Sequence, residues 1–194
     1  EAASLNVSAT ANRTITDISF TGLDESELAP SEAASLKNEI RAIASGVSLD
    51  GGDDFIDVFG STEVHALSDI HSVGVAMTVE AIPKTDWSDT HVDADMVAIA
   101  ASDGISGGSG IDEIAVSGEL ISDSIASSQI DVASVSFPLD VPVPAVGAAG
   151  SAFVFLSAGS EARSTAQGLD GGSDDDVLTY GGSNLTVSST ADAQ

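Results

Sequence analysis

The chain has 194 residues, 42% of them hydrophobic but only 4% aromatic, and sets 31 acidic side chains against 5 basic ones for a formal charge of −26. A field of that sign repels phosphate backbones and anionic headgroups, which excludes nucleic acid and acidic membrane as partners, while the apolar fraction is too high for a chain that stays disordered. Cysteine is absent, so disulfides and thiolate metal ligands are excluded too, and no apolar run is long enough to insert in a bilayer.

In chain order, the sequence opens at Glu1 without Met or a basic leader, as expected for a processed chain or a window of a longer array. After SLNVSATA (Ser4 to Ala11), Pro30 and Ser31 introduce SEAASLKNEIRAIASG. Ser31 as N-cap, Leu36, Ile40 and Ile43 at helical spacing and Gly46 as a stop predict a short amphipathic helix at about 31–45. It carries Lys37 and Arg41, and its apolar stripe would cover a sheet edge or dock a neighbouring copy.

From there the text turns to β grammar. SLDGGDDFIDVFGSTEVHALS, GISGGSGIDEIAVSGELISDS and GLDGGSDDDVLTYGGSNLTVSS share one order of features, their Gly pairs Gly51/Gly52, Gly107/Gly108 and Gly171/Gly172 standing 56 and 64 residues apart. Short strands are expected at Phe55–Phe59, Glu113–Val116 and Val177–Tyr180. Each is followed by a tight turn in which Gly60, Gly118 and Gly182 would take positive φ. Long alternating stretches come next, one of them holding His65 and His71 and another starting at Leu120. Pro83 to Asp95, with Trp87 and His91, and Phe137 to Gly147 read as loops. The chain closes on NLTVSSTADA (Asn184 to Ala193), which reads like Ser4 to Ala11 when Leu5 is laid on Leu185, three periods of sixty away.

Repetition at this period with small and β-branched apolar residues specifies an all-β chain, a parallel β-solenoid (β-helix) of about three repeats of some sixty residues. The expected division is one solenoid domain, 1–194, with repeats at 1–46, 47–102, 103–166 and 167–194, the last in phase with the start.

The Gly-acid turns carry the clearest chemistry. GGSGIDEI (Gly107 to Ile114) has the GGxGxDxI style; GGSDDDVL (Gly171 to Leu178) puts Asp174 in place of the third glycine; in GGDDFI, Asp53 and Asp54 align with Asp175 and Asp176. Calcium requires hard oxygen ligands from flexible loops, so Asp53, Asp54, Asp57, Asp112, Glu113, Asp170, Asp174, Asp175 and Asp176 are the candidate ligands. No catalytic constellation stands out, and five basic residues are too few to cradle a polyuronate, so an enzyme is not expected. Asn6, Asn12 and Asn184 sit in NVS, NRT and NLT sequons that accept glycans in an exported chain of a glycosylating organism. Trp87, in the acidic stretch, is a candidate contact for carbohydrate or a partner.

Gly-Gly-acid turns followed by SGELIS or GSNLTVSS strands resemble the repeat regions of large secreted bacterial adhesins and autotransporter-type surface proteins. The resemblance covers nearly the whole chain on short motifs. It implies an extracellular or cell-surface structural protein, a β-solenoid filament or stalk that stacks copies of itself end to end and is rigidified by calcium. The alternatives are a non-assembling calcium- or carbohydrate-binding module of a giant adhesin, recognising surface carbohydrate, and a β-helix enzyme acting on polysaccharide.

Overall fold

The computed structural model describes residues 4–22, 32–49, 51–81, 87–139 and 151–194, and the side chains of 4–16, 37–49, 51–75, 93–133 and 157–194. Among the described residues ten strands succeed one another: β1 (Leu5–Gly22), β2 (Glu32–Ser48), β3 (Phe55–Val58), β4 (Thr62–Ala81), β5 (Trp87–Ser106), β6 (Glu113–Val116), β7 (Leu120–Leu139), β8 (Ser151–Asp170), β9 (Val177–Tyr180) and β10 (Leu185–Ala193). They pair in parallel as β1-β4-β7-β10, β2-β5-β8 and β3-β6-β9. Each coil therefore gives one strand to each sheet, and the described residues form a parallel β-solenoid of three rungs with β10 opening a fourth. The longest strands have 20 residues, roughly 66 Å at the usual rise, so each rung is a long flattened loop.

The register gives the period. Leu5 stands on Thr62, Thr62 on Leu120 and Leu120 on Leu185, so Leu5 and Leu185 share one column of the first sheet. The Gly turns follow steps of 58 and 64 residues, because Gly51 bridges Ser109 and Ser109 bridges Ser173. Aligning Gly51/Gly52 with Gly107/Gly108 is therefore two residues out. Gly52, Gly110 and Asp174 occupy one column and share positive φ of 129°, 123° and 91°, which a short polar side chain such as Asp tolerates and larger ones resist.

Two layers explain the composition. The first and second sheets face each other across an interior of Ala42, Ala44, Ala66, Ala98, Ala100 and Ala126, with Val64, Ile70 and Met96 as its larger members. Serine hydroxyls stitch the layers: Ser102 to Ser122 at 2.9 Å, Ser160 to Ser128 at 2.9 Å and Ser164 to Ser124 at 2.8 Å. Side chains this small let two flat sheets approach closely, and these serine hydroxyls find partners on the opposite sheet, whereas Ser61 Oγ, just before β4, is buried without one. The short third sheet closes one end over Ile105, Ile114 and Val116, packed with Val47, Ile56, Val58, Leu169 and Tyr180.

Three expectations are corrected by this arrangement. The segment at 31–45 is not a helix: Glu32–Ser48 is β2, paired residue for residue with β5. Helical spacing and a capping serine are local preferences, of a few tenths of a kcal/mol per residue and about 1 kcal/mol for the cap, and a full parallel ladder with a buried Ala face outweighs them. The polar stretch expected as loop from Pro83 to Asp95 is strand from Trp87 onward, for the same reason; Phe137 and its neighbours to Leu139 continue β7, and 140–147 lie outside the described residues. Finally, Gly60, Gly118 and Gly182 are not among the residues with positive φ. They form a column, and a Cβ on Gly118 or Gly182 would overlap the carbonyl of the glycine one rung back, so close approach of the rungs is what requires glycine there. Gly46, Gly104 and Gly168 form a second such column near the end of the second sheet.

Candidate functional site

The Gly-acid turns stack into a ladder of carboxylates, since the register places Asp54, Asp112 and Asp176 one above another. The Asp54 N–H donates to Asp112 Oδ1 at 2.9 Å, and the Asp112 N–H to Asp176 Oδ1 at 3.0 Å. Beside them the Ile111 N–H donates to Asp53 Oδ1 at 3.0 Å, the Gly110 N–H to Asp174 Oδ2 at 3.2 Å and the Gly172 N–H to Asp170 Oδ1 at 3.0 Å. The carboxylates of Asp53, Asp112, Asp174 and Asp176 thus satisfy turn amides that no strand pairs, charge-assisted bonds that tie one coil to the next, while that of Asp170 caps an amide of its own turn.

Asp112 is the most enclosed of these groups, 1% exposed, and its Oδ2 has no hydrogen-bond partner. It lies against Gly107, and Asp176 lies likewise against Gly171, so both glycines make room for the carboxylate. The donor set has the hard-oxygen chemistry that calcium takes, and Asp112 Oδ2 is an acceptor left over for a cation. Among the described residues, however, no three acidic or histidine side chains converge as a metal cluster, because the stacked carboxylates are spent on amides of successive rungs. Asp175 is exposed at the third turn, while Asp57 and Glu113 point outward from the third sheet, opposite Ala115 and Phe55, and stand apart from the ladder.

The other candidates separate along the strands. Ile40 faces inward and packs on the Ala core, whereas Ile43 faces out and is 58% exposed; strand alternation divides residues that a helix would have put on one stripe. Leu36 and Trp87 lie in β2 and β5, their side chains outside those described. Asn6, Asn12 and Asn184 are all exposed; the Asn6 amide donates to Glu63 at 3.2 Å and that of Asn184 to Glu119 at 2.8 Å. His65 lies 3.9 Å from both Glu63 and Asp123, and His71 is 2.9 Å from Asp131, on the outer face of the first sheet.

Not anticipated was the outer face of the second sheet. On it, Glu39–Arg41 in β2 and Glu161–Arg163 in β8 form ion pairs that flank Val97 and Ile99 of β5 in the same columns. The Glu161 carboxylate, by hydrogen bond and then by charge, holds the Arg163 guanidinium above its ordinary range, and the charge of Glu39 adds to it. The recurrence of Glu-x-Arg in NEIRA and SEARS was the signal available in the sequence. At one margin of this face a groove of about 150 Å³ runs along the glycine column, its polar lining provided by Ser45, Ser48, Asp103, Ser106, Gln167 and Asp170. No protein-family model, no curated protein and no solved structure matches the chain.

Proposed function

We propose that this chain is an extracellular structural and adhesive repeat protein, extending or self-associating end to end as a filament or stalk at the cell surface, with calcium rigidifying its acidic turns. The observation that carries the reading is the shared column of Leu5 and Leu185. The text SLNVSATA in β1 returns as NLTVSSTA along β10, three coils on, so the strand that begins one rung is interchangeable with the strand that begins another. Parallel sheets with interchangeable rungs propagate without limit through their edges, the physical route by which solenoids gain length. Calcium would sit at the turns, where Asp112 Oδ2, the second carboxylate oxygen of Asp174 and the exposed carboxylate of Asp175 offer hard oxygens, and would screen the charge of −26.

Electron microscopy of the native material, in calcium and after chelation, tests this. Ordered filaments with an axial repeat are expected, shortened or lost on chelation, and lost on trimming residues 1–11. Isolated short rods under both conditions would refute assembly. They would favour a non-assembling carbohydrate- or calcium-binding module, for which the groove lined by Ser45, Asp103, Gln167 and Asp170 is the supporting observation.

A further inference from the structure

The charge of this chain is one-sided in sign but not in place. Of the four Lys and Arg residues with described side chains, three (Lys37, Arg41 and Arg163) lie on the outer face of the second sheet. There the rungs read Lys37, Glu39, Arg41 and Ile43, then Asp95, Val97, Ile99 and Ala101, then Gly159, Glu161 and Arg163, so Val97 and Ile99 lie between the two ion pairs and Asp95 lies beside Lys37. Among the described residues the other outward faces carry acids with little basic relief, and at −26 net charge two copies brought together there repel.

We infer that this face pairs side by side with the same face of a second copy, about a two-fold axis parallel to the solenoid axis. Such an axis, set between the columns of Val97 and Ile99, keeps rung opposite rung and reverses the strand direction. It brings Glu39 against Arg41 of the partner subunit, Glu161 against the partner's Arg163, and Val97 against the partner's Ile99, each contact occurring twice as an isologous interface requires. Ile43 then meets the aliphatic stem of the partner's Lys37. The alternative axis, along the strands, would set Glu39 on the partner's Glu161 and Arg41 on the partner's Arg163, and like charges reject it. Asp95 faces the partner's Ala101 and Asp93 the partner's Asp103 at the margins, where Lys37, stacked on Asp95 and 4.0 Å from Asp93, offsets their charge.

The face is small. Nine residues of strand by three rungs span roughly 30 Å by 14 Å, about half of what each partner of a standard interface contributes, so the pair is weak, with a dissociation constant of about 10 µM to 1 mM. This lateral contact is independent of end-to-end stacking: the first adds width and the second length.

Sedimentation of the 194-residue chain up to about 1 mM, with charge-reversal variants, tests the pairing. The wild type is expected to form dimers, and R41E/R163E to weaken them by at least about tenfold, since four contacts change from attraction to repulsion. The quadruple exchange E39R/R41E/E161R/R163E restores self-association, which also shows that the variants fold, yet fails to pair with the wild type. A wild type that stays monomeric throughout, R41E/R163E dimers as tight as the wild type's, or a quadruple variant that mixes freely with the wild type would each overturn the inference.

Discussion

Replacing Gly104 by Ala tests why the rungs carry glycine columns. Gly104 does not need positive φ, so its lack of a side chain must serve packing. A Cβ there meets three backbone atoms of the next rung: the Gly168 carbonyl oxygen well inside the 3.0 Å that real Cβ atoms respect, its carbon at 3.2 Å and the Gln167 oxygen at 3.3 Å. Backbone cannot swing aside as a side chain does. The ladder, spaced about 4.8 Å apart, has to open by at least half an ångström at this point, roughly, and neighbouring hydrogen bonds lengthen with it. Overpacking of this kind costs about 1–3 kcal/mol, and each weakened ladder bond adds about 0.5–1.5 kcal/mol. A loss of about 3 kcal/mol lowers Tm by about 6–12 °C for a domain of this size. Circular dichroism during thermal and urea unfolding reads it, with Gly181→Ala as the control, because a Cβ at Gly181 meets nothing within 4 Å and its φ is unstrained. Gly104→Ala no less stable than Gly181→Ala would refute the close-approach argument.

Two further substitutions probe the turn and the interior. Asp112→Ala removes the acceptor of the Asp54 N–H and is expected to cost about 1–3 kcal/mol in urea unfolding, whereas Asp112→Asn keeps an oxygen for that amide and replaces a buried charged carboxylate by a neutral amide, so it should be no less stable without calcium. A calcium-dependent gain in Tm that wild type shows and Asp112→Asn lacks would tie the ion to this carboxylate; equal gains would place it elsewhere. Ala98→Leu forces a large side chain between two sheets spaced for Ala and Ser, and should lower stability by about 1–3 kcal/mol with retained far-ultraviolet strand signal.

Much of the solenoid is legible in the sequence because its signals are local and repeated. Gly-acid turns, four-residue strands at Glu113–Val116 and Val177–Tyr180, and the alternation from Leu120 all declare a β coil of about sixty residues, and the likeness of Ser4–Ala11 to Asn184–Ala193 anticipates the column that Leu5 and Leu185 share. Asp53 and Asp54 were likewise alignable with Asp175 and Asp176, and the ladder bears that out.

What the sequence could not decide were the choices made between rungs. Leu36, Ile40 and Ile43 have helical spacing, but β2 is a strand because β5 offers it an edge along its length, and no window of local text contains that edge. Glycine at 118 and 182 looks like turn chemistry until the carbonyl of a glycine some sixty positions away is seen to occupy the place of its Cβ. Asp112 reads as a metal ligand in isolation; only the stacked neighbour supplies the amide it accepts. Composition and period determined that this chain coils, since those depend on each residue's own preference. Which face carries charge pairs, which carboxylate is buried and which glycine is indispensable depend on contacts some sixty residues distant, and those exist only once the coils are laid on one another.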